Sequence, residues 1–74
     1  MSSALRDLPP ASKLVFKTLE YDGEMTQQQL CEETRLTGRT VRNALGRLED
    51  ANAVDSRFNL RDARQRIYSH RGEA

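Results

Sequence analysis

Arg39, Thr40, Arg42, Asn43 and Arg47 lie close together in the sequence, with no acidic residue among them until Glu49. These side chains are hydrogen-bond readers. Arginine presents a planar fork that matches guanine O6 and N7, asparagine matches adenine N6 and N7, and threonine reaches a phosphate or a thymine methyl. A face kept polar only for solvation mixes signs, as residues 27–35 do with Glu32, Glu33 and Arg35. A second basic group follows at Arg61, Arg64 and Arg66, with Asp62 among them. Arginine suits narrow, electronegative minor grooves. The chemistry implied by both groups is contact with nucleic acid rather than bond making.

These side chains need a helix and a hairpin to hold them. Pro9-Pro10 reads as a helix start, because proline suits a first turn where its missing N–H is not needed. The first helix is expected over about 11–22, stopped by Gly23 and facing inward through Val15, Phe16 and Leu19. Thr26 with Gln29 makes a capping-box pattern for a second helix over about 27–35, inward through Leu30, Cys31 and Thr34. Gln27 and Gln28 fill its first turn. Thr37 caps a third helix over 38–51, whose Val41, Ala44, Leu45 and Leu48 keep the spacing of a helix packed on one side. Arg39, Thr40, Arg42, Asn43 and Arg47 then fall outward. From Val54 the period changes to alternation, predicting a strand, a polar turn over 59–64 and a second strand over 65–69.

Helix, short extended segment, helix, turn, helix, hairpin is the layout of an α+β winged helix-turn-helix: three helices plus a small antiparallel β-hairpin wing. The run Leu36-Thr37-Gly38-Arg39-Thr40-Val41-Arg42-Asn43-Ala44-Leu45-Gly46-Arg47-Leu48-Glu49 resembles the core of MarR-type prokaryotic regulators, Leu-Ser-x-x-Thr-Val-x-x-x-Leu-x-x-Leu-Glu. Asp62-Ala63-Arg64 resembles that family's Asp-x-Arg wing element. The likeness covers roughly 10–70, with 1–9 expected as a flexible arm and 71–74 as a frayed tail. It implies a sequence-specific double-stranded DNA-binding transcriptional regulator. Helix 38–51 would enter the major groove, and wing 59–66 would meet the minor groove, with Arg64 reaching in and Asp62 orienting it. Arg61 would add to the wing's DNA-binding cations, and Arg66 on the strand reads as a phosphate or solvent contact. Thr37, Arg39, Thr40, Arg42, Asn43 and Arg47 would carry the helix contacts. Two positions depart from the pattern. Arg35 and Asn52 stand where the family has turn glycines. Asparagine tolerates a left-handed backbone, but an arginine there is strained, so the turn at Arg35 is expected to be built differently. The long flanking helices through which the family dimerises have no counterpart in these residues, so the family's ligand pockets are not expected to carry over.

The 74 residues carry a net charge of only +1, which argues against nucleic acid until it is divided. Residues 1–34 hold three basic and six acidic side chains, whereas 35–74 hold nine arginines and five acids. Such asymmetry between halves points to a basic face. One cysteine and one histidine exclude a disulfide within the chain and a recognisable metal-ligand set. Neither a nucleophile–base pair nor a Gly-x-x-x-x-Gly-Lys phosphate loop is present, so an enzyme is not expected, nor is a cofactor or small-molecule ligand. The absence of a signal-like or spanning apolar run predicts a cytoplasmic, nucleoid-associated protein without a membrane partner. Cys31 reads as a small buried residue, His70 as an inert tail residue, Tyr21 and Tyr68 as packing residues, and Arg57 as a phosphate or solvent contact. Leu5, Leu8, Leu14 and Tyr21 suggest a patch on the arm and first helix for a homodimer, since pairing doubles the readout of one winged helix. Two other readings stay open: a winged helix used as a protein-interaction module, and a binder of non-B-form nucleic acid.

Overall fold

The computed structural model describes residues 8–62 and 65–71. Three helices, α1 (Pro10–Asp22), α2 (Gln27–Thr34) and α3 (Gly38–Asp50), surround a core closed on one side by a sheet of β1 (Met25–Thr26), β2 (Val54–Phe58) and β3 (Arg66–His70). The sheet order is β1-β3-β2, antiparallel throughout, with Met25 opposite Tyr68 and Ser56 opposite Tyr68 from the other side. The hairpin therefore has a third strand, supplied by the segment ahead of α2. The second wing strand begins and ends one residue later than the alternation predicts.

The helix ends show why these segments stop and start where they do. Thr26 accepts the N–H of Gln29 at 3.2 Å while Gln29 Oε1 accepts the N–H of Thr26 at 2.9 Å, the reciprocal capping box. Thr37 caps α3 by accepting the N–H of Thr40 at 3.2 Å. At the far end of α3, Asn52 takes a positive φ of 57°. Its N–H reaches Glu49 O at 3.0 Å and that of Ala53 reaches Leu48 O at 2.8 Å, a Schellman closure in which buried Ala53 meets buried Leu48.

The turn between α2 and α3 corrects one expectation. Arg35 adopts the left-handed conformation itself, at φ 62° and ψ 21°, so the turn is built in the conformation that suits glycine, without one. Neighbouring bonds hold it. Arg35 N–H donates to Cys31 O at 2.8 Å, Thr34 Oγ1 donates to Leu30 O at 2.6 Å, and the same oxygen accepts the N–H of Leu36 at 3.3 Å. The arginine is exposed.

Val15, Leu19, Leu30, Val41, Ala44, Leu45, Leu48, Ala53 and Val54 form the buried core. Leu8, Phe16, Met25, Cys31, Leu36 and Tyr68 pack partly buried around it. Along α1 the fully buried stripe is Ser12, Val15 and Leu19, which leaves Phe16 at the margin. There it meets His70 edge-on, ring centroids 6.1 Å apart. His70 is thus a strand residue in contact with α1, not an inert tail residue. Arg71 N–H continues the order by donating to Ala53 O at 2.8 Å; positions 72–74 lie outside the described residues.

Candidate nucleic-acid interface

The two faces of α3 are chemically opposite. Val41, Ala44, Leu45 and Leu48 are buried, while Arg39, Arg42, Asn43 and Arg47 are exposed. Burial of one side against α1, α2 and β2 fixes the rotation of the helix, so the polar row is presented as a rigid set. With 13 residues the helix is about 20 Å long, and a B-form major groove about 12 Å wide admits it.

The start of α3 is prepared in finer detail. Thr37 Oγ1 accepts the Thr40 N–H and donates its own hydrogen to Thr40 Oγ1 at 3.0 Å. The Thr40 hydroxyl hydrogen is thereby left to donate outward. Val41 N–H closes the first turn onto Thr37 O at 2.9 Å, and the N–H groups of Gly38 and Arg39 have no carbonyl behind them, as at any helix start. They add partial positive charge beside Arg39 in the first turn. Gln27 Nε2 donates to Gly38 O at 3.3 Å and ties the start of α3 to α2. That cross-helix tether was not anticipated, because the sequence shows Gln27 only as part of a polar first turn.

Grooves flank α3 on either side. One, of about 700 Å³, lies between the start of α1 (Pro9, Ala11, Ser12) and Thr40, Asn43 and Arg47 of α3, with Asp50 at its edge. The other, of about 650 Å³, runs between α2, α3 and β3 and brings Arg42 to the same side as Arg66, over Cys31 and Tyr68. Arg42 of α3 and Arg66 of the wing therefore share one surface. Cys31 is half-buried at the base of this groove. Burial raises the Tyr68 phenol above its usual value, with Glu49 reinforcing the effect and Arg66 and Arg42 opposing it.

In the wing, Arg66 lies over the Phe58 ring, 5.0 Å from its centroid, and donates to Ser56 Oγ at 3.3 Å. Its fork is held in place rather than swinging freely. Arg61 is exposed and Asp62 half-buried. Arg64 falls outside the described residues, as does Leu5 of the arm. Arg57 takes a different part from the one expected of it. It donates to Glu24 Oε2 at 2.8 Å across β3, holding the Glu24 carboxyl below the usual carboxylate range. The signal was available only through strand register: Arg57 pairs with Ile67 and Thr26 pairs with Ile67, which brings the segment before β1 alongside.

Of the apolar patch, Leu8 packs against the core, whereas Leu14 and Tyr21 are 44% and 86% exposed. Tyr21 is therefore not a packing residue of its own domain, while Tyr68 is.

A family model, described as the MarR family, matches residues 6–65. The chain belongs to the MarR family. Among solved structures, this MarR-family domain is similar to the transcriptional regulator PA4135 (TM-score 0.80, 23% identity, 88% of this chain and 48% of the other). It is also similar to a MarR mutant from E. coli complexed with operator DNA (TM-score 0.79, 18% identity, 88% and 46%). A third similar structure is the S. aureus MepR–DNA complex (TM-score 0.71, 22% identity, 86% and 48%). The chain thus spans about half the length of the structures it matches. No curated protein matches its sequence. Among the described residues, no helix is long and apolar enough to cross a membrane, and no cluster of three or more His, Cys, Asp or Glu side chains could hold a metal.

Proposed function

We propose that this MarR-family domain is a sequence-specific double-stranded DNA-binding regulator of transcription, a binding protein and not an enzyme, acting in the cytoplasm at the nucleoid. The observation that carries the reading is the exposed row Arg39, Arg42, Asn43 and Arg47 on a helix whose opposite side is fully buried. A protein-interaction helix has no need of so one-signed a face. In this reading α3 enters the major groove with Thr37 and Thr40 near phosphate, Arg42 and Asn43 at base edges, and Arg39 and Arg47 at base or phosphate. Wing 59–66 meets the adjacent minor groove through Arg61, Arg64 and Arg66. Fluorescence anisotropy with a duplex recovered by in vitro selection tests it. Binding should weaken with salt at a slope of about −0.9 per neutralised phosphate. No binding to any duplex at low salt contradicts it.

The same reading includes a homodimer formed by the arm and α1, supported by the exposure of Leu14 and Tyr21 on one flank of α1. Leu8, which packs against the core, is not available to that flank; Leu5 remains part of the proposal from the sequence alone. Analytical ultracentrifugation at micromolar concentration should show a dimer. A monomer with undiminished affinity for a palindromic site contradicts this part.

A further inference from the structure

Leu60, at the tip of the wing, is completely exposed. Scattered exposed leucines are ordinary; what sets this one apart is the construction under it. Asn59 N–H donates to Gln65 O at 3.0 Å and Gln65 N–H to Asp62 O at 2.9 Å. Asp62 N–H donates to Asn59 O at 3.2 Å, and Arg61 N–H to Asn59 Oδ1 at 3.0 Å. The turn directs these backbone donors inward, an Asx-type arrangement that fixes its shape. That shape carries the isobutyl group outward, where none of the described residues covers it. Phe58, two residues earlier, is 61% exposed, but Arg66 lies over its ring. Among the described residues Leu60 has Arg61 beside it in sequence, and Arg66 stands opposite Phe58, two residues before it.

That surrounding decides the occupant. An apolar pocket on another protein would have to desolvate the adjacent guanidinium of Arg61 without a counter-charge. A nucleic-acid groove supplies phosphates for the cations and stacked base pairs for the leucine. Resting on the DNA reading above, we propose that Leu60 is a wedge. It inserts from the minor groove between two base pairs while Arg61 and Arg66 hold the flanking phosphates. The wing then reads deformability, because separating a stacked step costs least at flexible pyrimidine–purine steps.

The test uses the full chain and a duplex recovered by in vitro selection, with 2-aminopurine placed at successive positions under the wing. The wild-type complex should brighten at one step, and Leu60→Ala should bind the same duplex with that step still quenched. Replacing the step by a stiff one should cost the wild type about tenfold in affinity and Leu60→Ala far less. The side chain is fully exposed among the described residues, so the variant folds as the parent does. Tight binding with no brightening at any position overturns the wedge and leaves the DNA reading standing, as does brightening that survives in Leu60→Ala. Failure of the wild type to bind any duplex overturns both.

Discussion

Similar side chains here do different work according to what stands beside them. Arg42 and Arg57 are both exposed arginines, yet only Arg57 has a carboxylate at 2.8 Å. The pair lies at the surface, so it is read by titration rather than by its effect on stability. Because Arg57 lowers the folded pKa of Glu24, the pairing is complete above the usual carboxylate range and is lost as pH falls through the lowered value. Carboxyl NMR titration should find the Glu24 midpoint below those of unpaired glutamates, and Arg57→Ala should return it to the usual range. An unchanged midpoint contradicts the pairing. Arg35 shows the converse, a residue in a backbone state that suits glycine, held there by the hydroxyl of Thr34 and the cap on Cys31 O. Ser12 is less comfortable: it is buried, and its hydroxyl has no hydrogen-bond partner among the described residues.

At the scale of elements, α3 does two jobs with one rotation. Its buried side fills the core and its exposed side carries the residues proposed to read DNA, so a loss of packing would reach that proposed role through the same helix. Leu48 is fully buried and also closes the Schellman turn. Leu48→Ala should lower the unfolding free energy by about 2–5 kcal/mol, a large share of the stability of so small a domain, as measured by urea denaturation followed by circular dichroism. A loss under about 1 kcal/mol would contradict its place in the core. The helices were legible in the sequence because their signals are local: a capping box at Thr26 and Gln29, the cap at Thr37, and the inward spacing of Val41, Ala44, Leu45 and Leu48. What stayed hidden depends on partners distant in sequence. The Glu24–Arg57 pair and the seat of Arg66 on Phe58 follow from strand register, and the contact of Phe16 with His70 follows from how α1 crosses the sheet. The period-two pattern marked Val54, Ser56 and Phe58 as one face, but not that the core ends before Phe58.

For the whole molecule, the near-zero net charge is the sum of two unlike regions. The acidic excess of residues 1–34 comes from Glu24, Glu32 and Glu33, just ahead of and on α2, while arginines outnumber acids over α3 and the wing. A field so divided orients the domain toward a polyanion while leaving its average charge small. Grooves on both sides of α3 set the helix apart as a ridge, and the wing places a second group of cations beside it. Contact through α3 and not through basic charge in general is the central claim, and two single substitutions of the same kind decide it. Affinity of Arg42→Ala and Arg57→Ala for the selected duplex should be compared at one salt concentration. Arg42→Ala should lose about 1–3 kcal/mol of binding and relax the sequence requirement at one base pair, while Arg57→Ala, whose guanidinium is already engaged by Glu24, should bind as the parent does. Equal losses from the two, or no loss from Arg42→Ala, would contradict the account.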